Sequence, residues 1–244
     1  MEVEILHLVE GARAARGVVV VIDVFRAFTT ACFAFTNGAA DYYAVGDLAA
    51  ARTMKAAHPD YILMGERHGA APIDFDFGNS PAQIEHANFS GKTLVHTTSA
   101  GTQGLVNAVA AEEVIAGAFV NAGAIIRYLR EKNPSRVSLV CMGREAIEPT
   151  VEDTACAEFI RNALLGLTND FAAIRERIRG GESARKFFDA EVLWATKRDF
   201  ELCLSLDRFA FILRAETVSE SVSRLRAIHV PEDAGGTSFP SVTR

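Results

Sequence analysis

Residues 17–24 read Gly-Val-Val-Val-Val-Ile-Asp-Val. A β-branched run without polar alternation suits a strand buried on both faces. Such strands belong to parallel sheets covered by helices on each side. The next apolar stretch, residues 27–36, has helical character and closes at Asn37-Gly38, a good C-terminal stop. This strand–helix unit sets the pattern for the chain. Residues 3–9 alternate weakly and predict an edge strand. Further short strands are predicted at 41–45, 61–64, 92–96, 113–117 and 136–142. Helices are predicted between them: one capped by Asp47 and ending at His58-Pro59, then 81–87, 103–111, 121–132 and 152–165. Strands alternating with helices predict an α/β fold with a mostly parallel sheet. Residues 169–207 read as helical, broken at Gly180-Gly181, with Trp194 as a core anchor. Phe209–Leu213 reads as a final strand. The expected organisation is one α/β domain over 1–228, with room for two sub-domains, and an extended tail over 229–244.

Composition limits what such a chain does. At 244 residues, 49% hydrophobic and 23% charged, it can bury a sizeable core. A net charge of −6 argues against general nucleic-acid or membrane-surface binding. An anionic ligand would therefore need a local basic pocket. No apolar run approaches the ~20 residues of a membrane helix, and the first residues lack an apolar signal core. Cys32, Cys141, Cys156 and Cys203 are scattered, with no metal-type spacing. They read as reduced, buried thiols of a cytoplasmic protein, and none has the setting of a nucleophile. A homodimer is the expected assembly.

Chemistry-bearing residues gather in four places. Asp23 ends the buried strand, where open α/β sheets place their sites, and Arg26 follows it. Asp23 also has a structural reading as a cap for the next helix. The second place is the polar loop Gly65-Glu66-Arg67-His68-Gly69 to Asp74-Phe75-Asp76-Phe77-Gly78-Asn79-Ser80-Pro81. Its mixture of acids, cations, amide and hydroxyl suits a site for an anion and a metal. Ser80 also reads as a helix cap, with Pro81 at the first helical position and Gln83 completing a capping box. Asp76 also reads as a turn cap. The third place is Thr97-Thr98-Ser99-Ala100-Gly101-Thr102, between strand and helix, where backbone N–H groups would face a phosphate. It is not a Walker loop, because no Gly-Lys-Ser/Thr is present. The fourth is Glu152-Asp153 at a helix start, where Thr150 and Asp153 also fit a capping box.

Together these motifs resemble the 2-phosphosulfolactate phosphatase (ComB) family. The resemblance rests on Val21-Ile22-Asp23-Val24-Phe25-Arg26-Ala27-Phe28-Thr29-Thr30, Gly65-Glu66-Arg67 and Phe75-Asp76-Phe77-Gly78-Asn79-Ser80-Pro81. It continues through Thr97–Thr102, Ala118-Phe119-Val120-Asn121-Ala122 and Val151-Glu152-Asp153-Thr154-Ala155-Cys156-Ala157. It covers about residues 18–165. It implies a three-layer α/β/α fold, Mg²⁺ as cofactor, and hydrolysis of 2-phospho-3-sulfolactate to 3-sulfolactate, a step of coenzyme M biosynthesis in methanogens. The chain departs from the family's usual pattern at Ser99-Ala100-Gly101, at Met142-Gly143 and at Glu158.

The expected mechanism gives Mg²⁺ hard oxygen ligands from Asp23, then Glu152 and Asp153, with Glu66 and Asp76 in reserve. Arg26 and Arg67 would clamp phosphate oxygens. Thr97, Thr98, Ser99, Gly101 and Thr102 would complete the cradle, and Asn79 and Ser80 would orient substrate or water. His68 and Arg144 would meet the other anionic groups. One rival is a haloacid-dehalogenase-type phosphatase, disfavoured because neither Asp23 nor Asp74-x-Asp76 forms an Asp-x-Asp motif ending a strand. A second is a non-catalytic anion-binding protein on the same fold. A dinucleotide-binding dehydrogenase fits poorly, because the first strand leads into no glycine-rich turn.

Overall fold

The computed structural model describes residues 1–231; residues 232–244, most of the expected tail, lie outside the described residues. The elements are β1 (Glu2–His7), α1 (Leu8–Ala14), β2 (Val18–Ile22), α2 (Ala27–Thr36), β3 (Asp41–Val45), α3 (Leu48–Ala57), β4 (Ile62–Gly65) and α4 (Pro81–Ile84). They continue with β5 (Thr93–Thr97), α5 (Gly101–Asn107), β6 (Glu113–Gly117), α6 (Ala122–Lys132), β7 (Arg136–Cys141) and α7 (Val151–Leu164). The described residues end with α8 (Phe171–Arg179), α9 (Lys197–Cys203), β8 (Phe211–Ser219) and β9 (Val222–His229). Two 3₁₀ turns, Phe119–Asn121 and Glu182–Phe187, complete the set.

Among the described residues one nine-stranded sheet runs β1-β7-β2-β6-β8-β9-β3-β5-β4. Strands β1, β7, β2 and β6 are mutually parallel, as are β3, β5 and β4. The antiparallel β8–β9 hairpin joins the two sets. Three antiparallel pairings separate β6 from β3, and the accumulated twist of the sheet between them lets loops of both sets face one space. Every residue of β2 is fully buried, as its Val-Val-Val-Val-Ile sequence requires of a strand covered on both faces. Helices α1 and α7 each pack on β1 and β7 with no substantial contact between them, so they lie on opposite faces of the sheet. This is the three-layer α/β/α arrangement. Most buried apolar residues form one core around β2; a small second cluster of Val45, Ala51, Leu63, Val95 and Val222 sits beneath α3.

The observed strands and long helices follow the apolar periodicity closely, and α2 spans the predicted 27–36. Asp47 caps α3 by accepting from the Ala50 N–H at 2.7 Å. Four differences stand out, and the first two have clear physical causes. The expected helix through 188–196 is an irregular segment: a capping box between Thr196 and Asp199 starts a separate helix at Lys197. Strand β9 has no counterpart among the predicted elements. Its mixed Arg and apolar residues give a half-exposed face, and the two-residue turn at Glu220-Ser221 carries no Asn-Gly signal. His229, where the tail was expected to begin, is the last residue of β9. The helix expected over 81–87 is a single turn ending at Ile84.

Candidate active site

The C-terminal ends of both parallel sets meet at one cavity of about 480 Å³. The loops after β2, β4, β5 and β7, the start of α7 and the segment 182–194 line it. Asp23 stands at its centre, 5% exposed. One Asp23 oxygen accepts the Ala27 N–H at 3.1 Å, so Asp23 does cap α2. The other has no hydrogen bond among the described residues. Burial pushes the Asp23 carboxyl up to about 6; the Ala27 N–H opposes this, and the nearby Glu66 and Glu152 charges add to it.

Glu66 holds the rim in shape. Its two oxygens accept the Ser99 N–H at 2.7 Å and the Gly69 N–H at 2.8 Å, with the Ser99 hydroxyl at 3.3 Å. The loops after β4 and β5 are thereby tied through one carboxylate. Gly69 is in the left-handed region, and a Cβ there would lie 2.4 Å from the Trp194 ring, so the indole can pack only against glycine. Arg26 lies beneath this contact. It donates to the Trp194 carbonyl at 2.6 Å and the Gly69 carbonyl at 3.2 Å, and pairs with Asp199 at 3.5 Å. Burial lowers its pKa. Asn79 is also buried at the cavity, and its Oδ1 has no hydrogen-bond partner among the described residues. A buried amide oxygen left unpaired is costly, and a bound ligand or water would relieve it.

The Thr/Ser/Gly stretch closes largely on itself. The Thr98 N–H donates to Thr102 Oγ1 at 3.0 Å, and the Thr102 N–H to Thr98 Oγ1 at 3.2 Å. Thr97 Oγ1 accepts from Arg67 at 2.7 Å. Thr97, Thr98 and Thr102 are buried behind the cavity, whereas Ser99 and Ala100 reach its wall. Gly101 backs Asp23: a Cβ at this position would lie 2.7 Å from Asp23 Oδ2. Arg67 faces a separate shallow groove beside Asp47 and Gln103, rather than the main cavity.

The acids expected to bind metal separate on inspection. Asp153 accepts the Val24 N–H and the Gly143 N–H, each at 2.8 Å, and so fastens the loops after β2 and β7 together. Its side chain therefore leaves the expected box with Thr150, which makes no capping bond. Asp76 accepts the Leu63 N–H at 2.7 Å and pairs with Lys55 at 3.1 Å, outside the cavity. Ser80 is a helix cap, accepting from the Gln83 N–H at 3.1 Å and donating to Asp199 at 2.6 Å. Glu152 does line the cavity, with Ser183 donating to one oxygen at 2.5 Å. Burial raises its pKa. His68 and Arg144 sit at the mouth, paired with Glu145 at 2.9 Å and with Glu148 and Glu182 respectively.

The donors fit Mg²⁺. Asp23 and Glu152 each keep an oxygen outside the hydrogen bonds described, and Mg²⁺ needs only one or two carboxylates beside water and phosphate oxygens. Among the described residues no three His, Cys, Asp or Glu side chains form a closed metal cluster. The lining also carries a surplus of negative charge. Six acids (Asp23, Glu66, Glu145, Glu152, Glu182, Asp189) face four full cations (Arg26, Arg144, Arg185, Lys186). A bound cation would offset the surplus.

Sequence reasoning missed the 182–194 wall, including Ser183, Lys186 and Trp194. Its Arg/Lys/Glu pattern reads as a solvated helical face. The usable signal was the Thr196-x-x-Asp199 box, which marks a new helix start and frees the preceding residues for a loop.

Comparison with known proteins is consistent with this geometry. A family profile described as 2-phosphosulpholactate phosphatase matches residues 4–217. A protein of Bacillus subtilis named probable 2-phosphosulfolactate phosphatase is 32% identical over 206 residues, covering 82% of this chain and 88% of that protein. A protein of the same name from Thermoplasma volcanium is 30% identical over 188 residues, covering 77% and 84%. A third, from Caldicellulosiruptor saccharolyticus, is 37% identical over 144 residues, covering 57% and 59%.

Proposed function

Because this chain belongs to the 2-phosphosulfolactate phosphatase family, we propose that it is a Mg²⁺-dependent phosphatase hydrolysing 2-phospho-3-sulfolactate to 3-sulfolactate and phosphate. The observation that carries this reading is the meeting of Asp23 and Glu152 with Arg26 and Lys186 in one cavity. Carboxylates and cations together suit a metal and a phosphomonoester. Either group alone would suit only one of them. The cavity volume is also appropriate to a small organic anion.

When bound, Mg²⁺ would supply charge neutralisation for the phosphoryl group and a lowered pKa for a water. Asp23 and Glu152 would hold the cation. Glu66 fixes Ser99 and Gly69 at the rim, and Arg26 fixes the Gly69 and Trp194 backbones. Such rigidity favours a single bound geometry for the phosphoryl group. Asn79, whose Oδ1 is unpartnered among the described residues, would turn its amide to substrate or to water. Arg144, Arg185 and His68 lie at the mouth, where the sulfonate and carboxylate would reside.

A panel of phosphorylated hydroxy acids tests the reading, with phosphate release measured in Mg²⁺ and after chelation. Metal-dependent release preferring phosphosulfolactate is expected. Release unaffected by a chelator would remove the metal from the mechanism. Preference for another phosphoester would replace the substrate. Phosphate binding without any turnover would leave the non-catalytic anion-binding alternative.

A further inference from the structure

Of the four full cations around the cavity, three are already committed or lie at its edge. Arg26 spends its guanidinium on two backbone carbonyls and on Asp199. Arg144 is paired with Glu148 and Glu182, and Arg185 is exposed. Lys186 differs from them. It is half-buried on the 3₁₀ turn Glu182–Phe187 and lines the cavity. Its ammonium lies 5.2 Å from the ring centre of Phe187 and 5.9 Å from those of Phe25 and Trp194. It makes no ion pair and no hydrogen bond among the described residues, although Glu152 and Asp23 face the same space.

Three aromatic faces attract an ammonium but accept none of its hydrogen bonds well. A partly desolvated cation with three unused N–H donors is unfavourable by itself. It becomes favourable when an anion enters and takes those donors. The site's own carboxylates do not fill this role, since none comes within ion-pairing range. Burial and then the neighbouring Arg26 charge lower the Lys186 pKa, against the opposing pull of the Glu152 and Asp23 charges.

We propose that Lys186 is the residue that directly grips the phosphoryl oxygens, and that Arg26 is a positioning residue that holds the Gly69 and Trp194 walls. The assignment rests on reading the cavity as a phosphomonoester site. It departs from the sequence expectation, which gave the clamp to Arg26 and Arg67 and did not include Lys186.

The test is calorimetric titration of inorganic phosphate, in Mg²⁺ buffer, into the wild-type protein, Lys186→Met and Lys186→Arg, with a thermal melt of each. Methionine keeps an unbranched apolar stem among the three rings. Losing one charge-assisted contact should weaken phosphate binding about tenfold to a hundredfold. Lys186→Arg should recover most of that loss. Lys186→Met should melt no lower than wild type, because it removes an unpaired ammonium. Unchanged phosphate affinity in Lys186→Met would overturn the assignment. Weaker binding with a clearly lower melting point would also overturn it, by making Lys186 a structural counter-charge to Glu152 and Asp23. Turnover of phosphosulfolactate with Lys186-independent phosphate binding would leave the proposed function standing without this inference. Lys186-dependent phosphate binding without such turnover would do the reverse.

Discussion

Replacing Asp199 with alanine should destabilise the protein severely, although Asp199 does not line the cavity. The carboxylate is fully buried. It accepts from Ser80 Oγ at 2.6 Å, the Ala82 N–H at 3.0 Å, the Thr196 N–H at 2.9 Å and Thr196 Oγ1 at 3.1 Å. It is also the counter-ion of buried Arg26 at 3.5 Å. Truncation strands two backbone N–H groups at roughly 1–3 kcal/mol each, while the two hydroxyls can rotate toward other acceptors. Leaving one partner of a buried ion pair uncompensated costs about 3–5 kcal/mol. These costs overlap, because relaxation around one stranded group eases the others, so a total near ~4 kcal/mol is expected. For a chain of this size each kcal/mol lowers Tm by about 2–4 °C, which gives a fall of about 8–16 °C. Urea unfolding and a calorimetric melt would measure both quantities. Asp199→Asn should cost about half as much, since one oxygen still accepts while its amide meets the Thr196 N–H badly. A loss below about 1 kcal/mol in Asp199→Ala would refute the reasoning.

Gly101→Ala should damage function more than folding. At this first position of α5 the added Cβ would lie 2.7 Å from Asp23 Oδ2 and 2.8 Å from the Ala27 Cβ, an overpacking that costs about 1–3 kcal/mol. A modestly lowered Tm with kcat lowered about a hundredfold is expected, and a thermal melt with steady-state assay of the folded variant checks it. Glu66→Gln should leave either the Ser99 or the Gly69 N–H without an acceptor, at roughly 1–3 kcal/mol, and faster hydrogen exchange at those two amides would reveal it. His96 is buried against the Tyr42 hydroxyl, and burial, aided by the Arg67 charge, lowers its pKa to about 3. Its folded pKa lies below its unfolded value of 6.5, so its contribution is intact above pH 6.5. As pH falls from there toward 3 the unfolded chain takes a proton that the folded chain refuses. Stability should drop by up to about 1.4 kcal/mol per pH unit in that window. Urea unfolding of the wild type and His96→Gln should show that slope in the difference between them, since the raised Asp23, Glu152 and Asp153 carboxyls act in the opposite sense in both proteins.

The reach of the sequence follows from which forces act locally. Strand β2 and helix α2 were legible because their apolar patterns are uniform and their ends carry strong stops. The placement of Asp23 at a strand end was legible for the same reason. The cap at Ser80 was legible too, while the function of its hydroxyl toward Asp199 was not, since 119 residues separate the two. Asp153 shows the same limit. A helix-start acid looks like a cap from sequence, yet its bonds go to Val24 and Gly143 in other loops. The Thr97–Thr102 stretch read as an anion cradle because its residue types suit one; only the three-dimensional pairing shows Thr98 and Thr102 satisfying each other. Lys186 was hidden because a lysine in a charged, helix-like segment has no local mark of burial. Its three aromatic neighbours include Phe25, 161 positions earlier in the chain.

The central claim is that this cavity hydrolyses a phosphomonoester around Asp23. Measuring kcat/KM for 2-phospho-3-sulfolactate in Mg²⁺, for the wild type and for Asp23→Asn, tests it most directly. The substitution keeps the shape and removes the anionic oxygen that would hold the metal. Mg²⁺-dependent turnover by the wild type, falling about a thousandfold or more in Asp23→Asn while the protein stays folded, is the predicted result. Full activity in folded Asp23→Asn would contradict the account.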